Sequence, residues 1–335
     1  MQAEERIKQI IEWGECFLNE NEGLENAMEK AWQENRWFIH EHQKQALKSI
    51  KEQMLSANKL EHWINHYNSD LMEKPAKNIA LIMAGNIPLV GFHDLLAVLM
   101  SGNKAQVKLS SKDSALWKYL FAKMQENQPA LHAQIEVVER LKDFDAVIAT
   151  GGNNTSRYFE YYFGKYPHII RKNRNSLAII SGNESDAELM ALGNDVFGYF
   201  GLGCRNISHL LVPENYDFKQ MLDVFESYKW VLDNNKYKNN FDYQLSIMLL
   251  NQIPFLQGDA ILLKASDSIP SPIATLHYQF YKSREEAEQI LKAEQNKIQC
   301  VVGENHLGFG TAQSPGLMDY ADGVDTMKFL LDMKK

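Results

Sequence analysis

The chain has 335 residues, more than the roughly 250–300 at which a single core usually stops growing, so two lobes sharing one connected fold are expected. Its 45% hydrophobic and 23% charged residues match soluble globular domains, and no run of about 18 apolar residues could span a bilayer. A net charge of -8 without a basic block argues against nucleic acid as the main partner, because phosphate binding needs clustered Lys and Arg.

Residues 1 to about 75 place apolar side chains at helical spacing, as in Ile7, Ile10, Ile11, Trp13 and Phe17, and predict amphipathic helices. The start Met-Gln-Ala-Glu-Glu-Arg lacks the basic and apolar regions of a secretory signal, so a cytoplasmic address is expected. At Asn78 the pattern changes. Ile79–Ala84 is a short apolar run ending in Gly85-Asn86, as for a buried parallel strand feeding a loop, and a helix is predicted from about Gly91 to Ser101. The theme repeats with strands at Ala105–Leu109, Ile135–Val138 and Ala146–Ala149, and helices at Ser114–Glu126 and Thr155–Phe163. A second half opens with Leu177–Ile180 and continues with strands near Ile207–Val212, Ala260–Leu263, Tyr278–Tyr281 and Ile298–Val302. Alternating strand and helix predicts an α/β fold of doubly wound parallel sheets.

Three scattered cysteines, Cys16, Cys204 and Cys300, are too few for a disulfide framework or a zinc site, which leaves thiols and no expected metal. Cys204 lies in Phe197-Gly198-Tyr199-Phe200-Gly201-Leu202-Gly203-Cys204-Arg205-Asn206, after a predicted helix and before a strand. A thiol on such a glycine-flanked turn can attack a carbonyl, with its own backbone N–H stabilising the oxyanion; alternatively it is a small buried hydrophobe. Asn86, in Ala84-Gly85-Asn86-Ile87-Pro88-Leu89, leaves the end of the first parallel strand, where ligands bind in open α/β sheets. Its amide is a donor to a ligand or serves the turn itself. His168 and His209 lie near these segments in sequence, which keeps a Cys-His hydrolase open.

Taken in order, Asn-x-Pro-Leu after one strand, Val107-Lys108-Leu109-Ser110-Ser111 after the next, Thr150-Gly151-Gly152 after a third and Gly203-Cys204 before a fourth resemble the aldehyde dehydrogenase superfamily. Within it, Ala84–Leu89, Gly203-Cys204-Arg205 and the tail Phe309-Gly310-Thr311-Ala312-Gln313-Ser314-Pro315 are most similar to the LuxC-type acyl-CoA reductases, over roughly Asn78 to Leu330. The resemblance implies an aldehyde dehydrogenase-like fold with two Rossmann-like parallel-sheet lobes and an N-terminal helical extension. It divides the chain into a helical segment 1–75 packed on the cofactor lobe, a cofactor lobe 76–176, a catalytic lobe 177–308, and a segment 309–335 returning to the cofactor lobe.

The same resemblance implies that Cys204 is the nucleophile and Asn86 the side-chain oxyanion donor. Lys108 would hold the adenosine ribose, with Ser110 and Ser111 beside it. Thr150, Gly151 and Gly152 would lie along the pyrophosphate or nicotinamide side, and Phe309 against the nicotinamide. Members strict for NAD often carry a glutamate three residues after the lysine; Ser111 stands there, followed by Lys112, which favours NADPH, with NADH as the alternative. The general-base glutamate of the hydrolytic members is replaced by the stretch Arg171-Lys172-Asn173-Arg174-Asn175-Ser176. A thioester at Cys204 would then await hydride or thiol exchange instead of water. The basic run is either a contact for cofactor or CoA phosphates or a solvated turn. The expected reaction is reduction of an acyl-CoA or other acyl thioester by NAD(P)H to a fatty aldehyde. An acyl-phosphate reductase of the same superfamily and a nicotinamide-independent cysteine acyltransferase or thioesterase are the alternatives. A homodimer or an acyl-transfer partner is also implied.

Overall fold

The computed structural model describes residues 2–67 and 73–334, except the side chains of Asn153 and Asn154. Helices α1 (Ala3–Gly14), α2 (Glu22–Glu34), α3 (His40–Met54) and α4 (Ala57–Asn65) precede the first strand. There follow β1 (Asn78–Ile82), α5 (Phe92–Met100), β2 (Lys104–Lys108), α6 (Ala115–Asn127), α7 (Pro129–His132), β3 (Ile135–Val137), β4 (Ala146–Thr150), α8 (Asn153–Phe163) and β5 (His168–Arg171). The second half contains β6 (Asn175–Ile179), α9 (Asp186–Phe197), β7 (Ile207–Pro213), α10 (Lys219–Phe225), α11 (Asn235–Leu250), β8 (Leu256–Gln257), β9 (Leu262–Ala265), β10 (Thr275–Tyr281), α12 (Arg284–Glu294) and β11 (Ile298–Gly303), and α13 (Thr326–Asp332) ends the chain. Two compact units result, Met1–Asn173 with Ser314–Lys335, and Arg174–Gln313.

The first unit holds a five-stranded sheet of order β3-β2-β1-β4-β5, parallel throughout. Its central strand β1 is apolar on both faces, since Ile79, Ala80 and Leu81 are all buried, the composition a covered parallel strand requires. Helix α5 is buried along its whole length except His93, consistent with its apolar sequence Phe-His-Asp-Leu-Leu-Ala-Val-Leu-Met. The N-terminal helices share this core. Trp13 stacks on Phe92 at 5.6 Å and meets Phe17 edge-on at 5.1 Å, and its indole N–H donates to the Leu120 carbonyl. Such pairs add about 0.5–1.5 kcal/mol beyond area burial, which ties the helical segment to α5 and α6.

The second unit holds a six-stranded sheet of order β11-β6-β7-β10-β9-β8. It is mixed and not purely parallel, because the two-residue β8 pairs antiparallel with β9 at the edge. Both residues of β8 are exposed, so no apolar run announces it. Helix α9 begins with a capping box, Ser185 and Glu188 each satisfying the other's backbone N–H.

Candidate active site

In the first unit β1 lies between β2 and β4, with Ile82 opposite Lys108 on one side and Ala149 on the other. The three loops singled out in the sequence therefore leave the same C-terminal edge of one parallel sheet, where open α/β sheets bind ligands. That edge brings together Asn86, Lys108, Ser110, Ser111, Thr150, Gly151 and Gly152.

The Asn86 loop is pinned from several directions. Met83 N–H donates to the Lys108 carbonyl at 3.1 Å, and the buried Asn35 amide donates to the Gly85 carbonyl at 3.3 Å. Gly85 is required by close approach, because a Cβ there would sit 2.4 Å from Ser110 Oγ. Leu89 closes the loop at φ +57°, a left-handed conformation unusual for a bulky side chain, and its N–H donates to Asp113 Oδ2 at 2.9 Å. Asn86 itself is exposed.

Lys108, Ser111 and Gly152 are exposed, while Ser110 Oγ accepts the Lys112 N–H at 3.2 Å. Gly152 caps the start of α8, and the nearest atom to a Cβ there would be the Asn173 side chain at 3.9 Å. Next to it Gly151 has no such room, its Cβ meeting the Phe159 ring at 2.9 Å. An open glycine at a helix N-terminus, with an exposed lysine two strands away on the same edge of the sheet, fits the phosphates and ribose of a dinucleotide.

Cys204 belongs to the second unit. Before it, Tyr199, Phe200 and Gly201 take φ +49°, +55° and +78° in succession, forming a left-handed turn. Left-handed backbone costs a residue other than glycine roughly 1–2 kcal/mol, so two buried aromatics here need compensation. Phe200 finds it against Trp230 and Tyr237, both at 5.9 Å. Gly201 takes this conformation without cost, while Tyr199 and Phe200 adopt it as well, and packing holds Phe200 there. Beyond the turn, Asn206 N–H donates to the Gly203 carbonyl at 3.1 Å and β7 begins.

The half-buried Cys204 is anchored through its main chain. Ser176, fully enclosed on β6, donates its hydroxyl to the Cys204 carbonyl at 3.1 Å, accepts the Cys300 N–H at 3.1 Å, and lies 3.0 Å from Cys300 Sγ. Both strands flanking β6 shift register beside Ser176, between Ile298 and Val301 on β11 and between Ser176 and Leu177 against β7. Such irregularities re-aim side chains near sites.

Phe309, also in the second unit, sits on a segment tied to α9. Asp195, wholly buried on that helix, accepts the Gly310 N–H at 2.6 Å and the Ala312 N–H at 3.0 Å, and Arg205 donates to the Ala312 carbonyl at 3.4 Å. Burial pushes the Asp195 carboxyl up to about 7, against the pull of the two N–H groups. Nothing in the sequence marked Asp195, Asp113 or Ser176, because each acts on backbone supplied by a distant segment.

Within the basic run Lys172 and Asn173 are exposed, as on a solvated turn, whereas Arg171 is enclosed. Arg171 is buried on β5 and donates to both oxygens of Asp94, to the Ala321 carbonyl and to Thr326. Lys172 pairs with Glu160 at 2.9 Å, and Arg174 donates to the Ile298 carbonyl at 3.2 Å. His209 is buried within β7, its Nδ1 3.1 Å from the Ser268 carbonyl, and burial lowers its pKa to about 4. No helix among the described residues is long and apolar enough to cross a membrane.

Comparison with known proteins agrees with this architecture. Among solved structures, aldehyde dehydrogenase 21 from Physcomitrella patens superposes with a TM-score of 0.69 at 12% identity, covering 99% of this chain and 84% of that one. The NADP-dependent glyceraldehyde-3-phosphate dehydrogenase of Bacillus halodurans gives 0.60 at 13% identity over 91% and 75%. At such identities the likeness establishes the fold alone, that of the aldehyde dehydrogenases. The long-chain acyl-protein thioester reductase of Photorhabdus laumondii is 21% identical over 228 residues, 62% of this chain and 47% of that protein, so the chain spans about half the length of the curated relative it matches. The family model described as acyl-CoA reductase (LuxC) matches residues 9–225, a span that includes Asn86, Lys108, the Thr150–Gly152 loop and Cys204. The chain belongs to the LuxC acyl-CoA reductase family.

Proposed function

We propose that this protein reduces an activated long-chain acyl group to the aldehyde by way of a thioester on Cys204. The observation that carries the reading is the position of Cys204: inside the span matched by the LuxC family and just beyond a left-handed turn, with its own carbonyl fixed by Ser176. In this reading the Cys204 thiolate attacks the acyl carbonyl, Asn86 donates to the oxyanion, and the donor leaves as its thiolate. Lys108, Ser110 and Ser111 hold the adenosine ribose of the cofactor, Thr150, Gly151 and Gly152 its pyrophosphate, and Phe309 its nicotinamide. The bound cofactor supplies the hydride. NADPH is preferred over NADH because no carboxylate stands at Ser111 to repel a 2′-phosphate and Lys112 follows it. No carboxylate in the stretch 171–176 is available to activate water, so the thioester persists until it is reduced.

The donor is a CoA thioester, as the family description names, or a protein-bound thioester, as the name of the Photorhabdus relative suggests. Purified protein given tetradecanoyl-CoA and NADPH is expected to consume absorbance at 340 nm, and Cys204→Ala to abolish acyl transfer while still binding cofactor. Absence of turnover with CoA, carrier-protein and phosphate donors alike, with either cofactor, would refute the reading. Covalent acylation without any dependence on nicotinamide would indicate an acyltransferase or thioesterase instead.

A further inference from the structure

The loop bearing Asn86 and the loop bearing Ser110 and Ser111 are joined by one buried carboxyl. Asp113 is 1% exposed, and its Oδ2 accepts two N–H groups, from Leu89 at 2.9 Å and from the Trp117 indole at 3.2 Å. Its Oδ1 is enclosed with no hydrogen-bond partner among the described residues, an arrangement a purely structural acceptor would not need. Leu89, whose N–H it accepts, is left-handed. The two loops also touch directly where Gly85 packs against Ser110, leaving no room for a Cβ.

We propose that Asp113 is a positioning residue that sets the Asn86 loop in register with the Ser110–Ser111 loop, so that cofactor binding at one is coupled to acyl transfer at the other. This inference rests on the proposed function and adds a residue to it. Burial raises the Asp113 carboxyl to about 7, and Glu34, the charge facing it from the end of α2, adds to the rise. Near neutrality it therefore exchanges between a neutral acceptor and a carboxylate, whose hydrogen bond to Leu89 is the stronger.

The test follows acylation of Cys204 by mass spectrometry with tetradecanoyl-CoA from pH 6 to 9, and NADPH binding by fluorescence, in wild type, Asp113→Ala and Asp113→Asn. Asp113→Ala is expected to acylate about 10–100-fold more slowly at pH 8 and to bind NADPH more weakly, as misplacement of a site loop produces. Asp113→Asn keeps an oxygen for both N–H groups but cannot ionise, so it should follow wild type near pH 6 and fall behind above pH 8. Should the alanine variant fail to fold, the asparagine pH profile decides. Acylation of wild-type Cys204 with profiles unmoved by either variant overturns this proposal alone; a wild-type Cys204 that never accepts the acyl group overturns the reaction it rests on as well.

Discussion

Replacing Arg171 with Met tests how the first unit is held together. Arg171 is 4% exposed, and its guanidinium makes four hydrogen bonds, at 3.1 and 2.5 Å to the two oxygens of Asp94, 2.8 Å to Thr326 Oγ1 and 2.6 Å to the Ala321 carbonyl. It thereby fastens β5 to α5 and to the start of α13. Burial pushes the Asp94 carboxyl up, but the guanidinium outweighs that and holds it below the usual carboxylate range. Removing the arginine leaves a buried charge uncompensated, which costs about 3–5 kcal/mol. For a unit near 200 residues that corresponds to a fall in Tm of roughly 10 °C. The deficit should be smaller at pH 5 than at pH 8. In wild type the depressed Asp94 pKa contributes stability above the unfolded value that is lost in acid, whereas the unpaired Asp94 of the variant can take up a proton. Calorimetry of Arg171→Met, Asp94→Leu and the double variant checks this, and the double variant should recover much of the loss because two apolar residues replace the pair. A loss below about 1 kcal/mol at pH 8, or a double variant as unstable as the sum of the singles, would refute the reasoning.

Two other outcomes are expected. Asp195→Asn keeps one acceptor oxygen for two N–H donors, so it should loosen residues 308–313 and destabilise the protein by about 1–3 kcal/mol in urea unfolding. Because the folded Asp195 binds its proton more tightly than the unfolded chain, its stabilisation is lost as pH rises through about 7, and the deficit of the variant should shrink between pH 5 and 8. Ser111→Glu places a carboxylate where a 2′-phosphate would lie, and should weaken NADPH binding about tenfold or more while sparing NADH, measured by fluorescence titration.

The strands most legible in the sequence are those whose burial on both faces leaves a continuous apolar run. Ile79–Leu81 and Ala146–Ala149 are of this kind, and their elements lie where the pattern places them. Strand β5 escaped notice because it carries His168 and Arg171, and the partner that lets Arg171 be buried, Asp94, is 77 residues away. Hydrophobic periodicity records which residues prefer the interior. It has no access to a charge that becomes tolerable through a distant counter-ion.

The same distinction applies to the site. Glycine, asparagine and cysteine near strand ends were visible as chemistry, yet the backbone geometry that presents them was not. Among the described residues other than glycine, nine have positive φ, and of these Leu89, Tyr199 and Phe200 are the large apolar ones. All three lie within five residues of Asn86 or Cys204. Bulky residues persist in this conformation only where their surroundings over-determine it, and such strain clusters at functional sites. For Leu89 the determinant is Asp113, and for Phe200 it is the packing of Trp230 and Tyr237, residues that no local motif connects to the loops they constrain. The motif thus nominates the groups of the proposed reaction, and the strained neighbours, held by long-range contacts, lie on the same two loops on which that proposal depends.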